Sequence, residues 1–134
     1  MKNPGSFFRS LVAAALLVFA GPLLAAESAV TADLKALFTK TKERIAAGAK
    51  TPAALAPELA EFDALLAKYA ATKTEEVAQI LMLKAMLYAQ VFEDEEGAIS
   101  LFEKLKADFS ATESGKRADE IITSLKTQAE TNKV

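Results

Sequence analysis

From Thr74 to Phe92 the chain has an almost unbroken apolar stretch, VAQILMLKAMLYAQVF after a Thr-Glu-Glu start. Only Gln79, Lys84 and Gln90 interrupt it. Ala, Leu and Met favour a helix, and the stretch lacks the strict alternation of a half-buried strand. Wound as a helix, it is apolar nearly all round. Such a helix must be covered on several sides, so it belongs in the middle of a packed array of helices.

The rest of the sequence supplies partners for it. Ala, Leu, Glu and Lys dominate the chain after residue 26, and β-branched runs are absent. Caps and breakers mark five helical segments. The first spans about 31–47, with Thr31 as a cap, Asp33 in the first turn and Gly48 as a stop. Leu34, Leu37, Phe38 and Ile45 form its inner face, and Lys35, Lys42 and Glu43 face out. The second lies within 51–71, as a short turn followed by a helix from Pro57. Its buried stripe is Leu59, Phe62, Leu65, Leu66 and Tyr69. The third spans 74–92, capped by Thr74. The fourth spans about 94–109, capped by Asp94, with Ile99, Phe102, Leu105 and Phe109 inward. The fifth spans about 112–129, with Ala118, Ile121, Ile122 and Leu125 on one side and a frayed tail from Thr131. Its one-sided pattern suits a lid on the end of a stack. Short connections make neighbouring helices antiparallel. An open stack of helix pairs and a closed bundle both satisfy the pattern.

The first 26 residues read as a secretory signal peptide. Lys2 and Arg9 form a positive start, residues 11–20 (LVAAALLVFA) an apolar run, and Gly21-Pro22 a break before Ala25-Ala26. Cleavage after Ala26, with Ala25 and Ala29 as alternative sites, leaves 108 residues, 27–134, as a single domain, and the net charge moves from −2 to −4 as Lys2 and Arg9 depart. An uncleaved anchor is the competing reading, but the run from Leu11 to Ala26 is only 16 residues and holds Gly and Pro, against the about 20 of a spanning helix. Lipidation after cleavage needs a Cys, and the chain has none. The expected location is periplasmic or secreted, with no stable membrane span after cleavage.

Composition excludes much chemistry. Without Cys there is no disulfide, thiolate metal cluster or thiol nucleophile, and without His there is no imidazole base or Ser-His-Asp triad. The net charge offers no basic excess for nucleic acid. Asp and Glu sit at helix starts or on polar faces, not within apolar stretches as a tuned catalytic acid would. No Gly-rich phosphate loop is present. The expectation is a non-catalytic protein without metal or cofactor. The acidic run Glu93-Asp94-Glu95-Glu96-Gly97 lacks the alternating ligands of a calcium loop and reads as a turn plus a helix start. Lys116-Arg117, and Lys40 and Lys42 near Arg44, read as solvated faces.

In the segment 81–125, Ala85 and Tyr88 are followed by Ala98 and Phe102, four apart, then by FEKLKADF, and then by Gly115 with Ala118. This run resembles the tetratricopeptide repeat, most closely the repeats of periplasmic and outer-membrane-assembly proteins. The likeness spans about one and a half repeats. The turn between Tyr88 and Ala98 is one residue longer than usual, and Ser110 stands where such repeats carry Pro. The resemblance implies an all-α domain of about five antiparallel helices stacked as helix-turn-helix pairs, working as a protein–protein interaction or scaffold module of the cell envelope. Its partner would be another exported or envelope protein. More loosely, the chain is similar to the helical N-terminal region of exported thioredoxin-like disulfide reductases. That likeness implies the alternative, a helical appendage beside a thioredoxin-like redox protein that itself lacks the redox cysteines.

If the third helix sits like the first helix of such a pair, Gln79, Met82, Leu83, Met86 and Gln90 face the concave groove as a partner-binding stripe. Met adapts to varied surfaces, and a Gln at each end can bond a peptide backbone. The competing reading, which ordinary packing favours, makes Met82, Leu83 and Met86 core beneath the fifth or first helix.

Overall fold

The computed structural model describes residues 28–133, and the expected leader lies outside them. Five helices and no strand occur among the described residues: α1 (Ala29–Ala46), α2 (Ala56–Lys68), α3 (Glu75–Gln90), α4 (Glu95–Asp108) and α5 (Glu113–Asn132). The protein is therefore all-α over this span.

Side-chain oxygens set four of the five helix starts. Ser28, Thr74, Asp94 and Thr112 each accept a hydrogen bond from the backbone N–H three residues on, which satisfies a donor the helix itself leaves open. The first of these differs from expectation. Ser28 caps α1, and Thr31 is already inside the helix, donating its N–H to Ser28 Oγ at 3.2 Å. The Ser28 hydroxyl is anchored in turn on Glu76, which fixes the start three residues early. Helix α1 stops at Ala46, and Gly48 follows its cap residue Ala47 as the expected stop. Gly48 has φ 102°, and the N–H groups of Gly48 and Ala49 reach back to the carbonyls of Ile45 and Arg44, so the last turn closes on itself. At the other end of the chain α5 runs on to Asn132. That is three residues beyond the expected end near 129, and the Thr131 hydroxyl donates to the Thr127 carbonyl at 2.9 Å.

Polar pairs give the helix directions. Asp33 meets Lys68, Lys40 meets Glu61 and Arg44 meets Glu58, so numbers rise along α1 as they fall along α2. The pairs Glu103–Lys126 and Lys106–Asp119 show the same reversal between α4 and α5. The odd helices instead start side by side. The Ser28 hydroxyl donates to Glu76 at 2.8 Å, and Ser114 donates both its N–H and its hydroxyl to Glu75. Thus α1, α3 and α5 run in one direction as a row, and α2 and α4 return behind it.

Helix α3 touches all four others, as its apolar circumference demands. Helix α1 packs on α2 and α3, α5 packs on α3 and α4, and α2 also meets α3. No contact joins α1 to α4 or α5, or α2 to α4. Among the described residues the array is therefore open and does not close into a ring. Ala78, Ala85, Ala98 and Ala118 are fully buried where helices approach, because a methyl group lets two backbones come close. Phe62 and Phe102 are the largest fully buried side chains.

Burial departs from the sequence pattern in three places. Phe38, expected inward, is 47% exposed. Leu55 lies in the turn before α2 yet is fully buried. Glu58, in the first turn of α2, is only 2% exposed.

Candidate functional site

Because α1 and α3 run in the same direction side by side, their facing edges form a groove. Its walls are Phe38, Thr41, Lys42 and Ile45 from α1 and Leu83, Met86, Leu87, Gln90 and Val91 from the end of α3. Phe62 of α2 lies at its base, so the returning helix seals the crease. The cavity measures about 250 Å³, more than an isolated packing defect. Phe38 is the only large hydrophobic side chain exposed among the described residues, and it stands on this rim.

The lining is almost wholly carbon. Thr41 is buried, and its hydroxyl is occupied by the Leu37 carbonyl at 2.7 Å. That leaves Lys42 and Gln90 as the polar groups of the rim, both exposed. The basic side of α1 turns out to be unequal. Lys40 is paired with Glu61 and Arg44 with Glu58, whereas no carboxylate among the described residues pairs with Lys42.

The five residues of the expected stripe divide. Leu83, Met86 and Gln90 come together in the groove. Met82 is half-buried against the core and lines no part of the groove. Gln79, a turn from Glu75 on the same helix, also lines no part of the groove. The α1 wall was not expected. The four-residue step from Phe38 to Lys42 and the seven-residue step to Ile45 put these three on one edge of a helix. Only the neighbour's position shows that this edge looks into a crease and not into the core.

Three carboxyl groups outside the groove have shifted titration, and each has a structural cause. Burial raises the Glu75 carboxyl, but hydrogen bonds from the Ser114 N–H and hydroxyl, the Gln79 side chain and the Glu113 N–H outweigh it, leaving the group below its ordinary value. Glu75 therefore serves α5 as a carboxylate at its N-terminus, where the dipole favours negative charge. The hydrogen bond from Lys68, and then that from the Tyr69 hydroxyl, holds Asp33 below the usual range, and Lys106 does the same for Asp119. All three are kept ionised, the opposite of what a general acid needs.

Replacing Glu75 by Gln should cost about 1 kcal/mol of stability, read from urea midpoints. The sign follows from the lowered value. The carboxylate's contribution is complete above the ordinary value of 4.5 and is lost as pH falls through the lowered one. The gap between wild type and Glu75→Gln should therefore close on acidification below that point. A gap unchanged by acid would remove the charged cap.

The chain matches no family model, no curated protein and no solved structure. Among the described residues no group of three or more Asp or Glu side chains is placed to hold a metal ion, and no helix is long and apolar enough to cross a membrane.

Proposed function

We propose that this is an exported, non-catalytic interaction domain of the cell envelope, with its five helices arranged as tetratricopeptide-like pairs, and that it docks another exported protein on the face made by α1 and α3. The observation that carries this reading is the groove. An open, nearly all-carbon crease with an exposed Phe38 on its rim is a surface a monomer gains nothing by leaving wet. The pairing is supported by the row of same-direction odd helices and by the fully buried Ala85, Ala98 and Ala118 at the positions where such repeats use small residues. The leader of residues 1–26 supports export. A partner would insert one or two large apolar side chains between Phe38 and Met86 and place polar groups against Gln90.

The test is Met86→Glu. Met86 is half-buried and lines the groove, so a carboxylate there should spoil an apolar contact and leave the five helices in place. Capture of a partner by crosslinking in a periplasmic extract should fall by at least about tenfold, with helical circular dichroism unchanged. Capture equal to wild type would sink the reading. Loss of helicity in the variant would make Met86 core, and Phe38→Glu, at an exposed rim position, then decides the matter.

A further inference from the structure

We infer that the α1–α3 groove is a binding site for a single unbranched acyl chain ending in a carboxylate, a medium-chain fatty acid, with the chain along the crease and the carboxylate on Lys42. The inference concerns the groove of the proposed docking face but needs no protein partner, so either can fail alone.

Three observations select this ligand. The first is polarity. An extended peptide would bring an N–H and a C=O group at every residue, and each needs a partner once dry. The groove has almost none to give, since the Thr41 hydroxyl is committed to the Leu37 carbonyl and the remaining lining from Phe38 to Val91 is carbon apart from Lys42 and Gln90. An acyl chain has no polar group along its length. The second is charge. Lys42 is the one cation in the lining, and it has no carboxylate partner among the described residues, although its neighbours Lys40 and Arg44 each have one. No carboxylate lines the groove to repel an anion. The third is size. A dry cavity of about 150 Å³ accommodates benzene with its six carbons. On that scale the groove's 250 Å³ takes about ten non-hydrogen atoms. Decanoate places most of its chain in the crease and its head at the rim.

The flexible Met86 and the exposed Phe38 give the walls latitude to close on a chain. The ion pair at the mouth is solvent-exposed, so its share of the affinity is small and falls with salt.

The experiment titrates the purified protein with decanoate, and separately with decanol, below micelle-forming concentrations. It follows methionine methyl resonances and heat. Decanoate should bind saturably and shift the Met86 methyl, with Met82 nearly unmoved because it lies against the core outside the groove. Lys42→Ala should weaken decanoate about fivefold, leave decanol unchanged and lose its effect in high salt. Lys42→Arg should restore binding. No saturation by either ligand overturns the inference. So does a response centred on Met82, or equal affinity for decanoate and decanol with no effect of Lys42→Ala.

Discussion

Gly115→Ala should be among the most damaging single-methyl changes in this protein, lowering stability by about 3 kcal/mol. A Cβ built on Gly115 would lie 1.8 Å from the Phe109 carbonyl oxygen and 2.6 Å from its carbon. Neither is the free end of a side chain that can swing away. The carbonyl is held by both the N–H and the hydroxyl of Thr112, at 3.0 and 2.7 Å, and the same hydroxyl oxygen accepts from the Gly115 N–H. Relief would require moving the whole turn between α4 and α5, which would drag buried Phe109 out of its seat. The penalty should appear as a fall in melting temperature of roughly 12–24 °C, at the scale of 4–8 °C per kcal/mol for a domain near this size. Gly48→Ala is the matched control. Gly48 has φ 102° but no atom within 4 Å of its Cβ position, so it carries only conformational strain, about 1 kcal/mol. Equal losses at the two glycines would mean that the Phe109 carbonyl does not hold the turn.

That pair of glycines shows where the sequence stops being informative. Gly48 is legible because a glycine after an apolar-periodic segment marks a helix end, and the reason is local. Gly115 can be singled out by its likeness to a repeat, but the carbonyl that forbids a side chain is contributed by a residue six positions earlier and only after the turn has folded. The same division holds elsewhere. Thr74 and Asp94 are readable as caps because their partner lies three residues on, and the helical composition of α3 is readable from its own apolar circumference. Ser28 as the start of α1 is not, since its anchor Glu76 is on another helix. Nor is the site. Leu83, Met86 and Gln90 share an edge of α3 by spacing alone, but Phe38 has the pattern of a core residue. It becomes a groove wall because α1 and α3 run in the same direction with Phe62 beneath them.

Glu58 is the clearest case of a residue that only the fold explains, and it leads to the second large expected effect. Removing its partner should hurt more than removing Glu58 itself. Its carboxyl group is 2% exposed; Oε1 is 3.3 Å from Arg44 Nε, and Oε2 has no hydrogen-bond partner. Arg44 is half exposed and also donates to the Ala54 carbonyl at 2.9 Å, so it ties the turn before α2 to the end of α1. Arg44→Met leaves a buried carboxyl with neither oxygen satisfied and should cost about 3 kcal/mol, near the lower end for breaking a buried pair because Arg44 itself reaches water. Glu58→Met removes the unsatisfied oxygen, fills similar space, and frees Arg44 to turn to solvent. It should be neutral or stabilising. The double variant should then match Glu58→Met and recover most of the loss of Arg44→Met, a coupling of about 2 kcal/mol or more in a double-mutant cycle. Denaturant midpoints of the four proteins decide it. An Arg44→Met loss below about 1 kcal/mol would show that the guanidinium is a surface ornament and that water reaches Glu58. A large loss with no recovery in the double variant would assign the cost to the Arg44–Ala54 bond, making the turn, and not the carboxyl, what Arg44 holds in place.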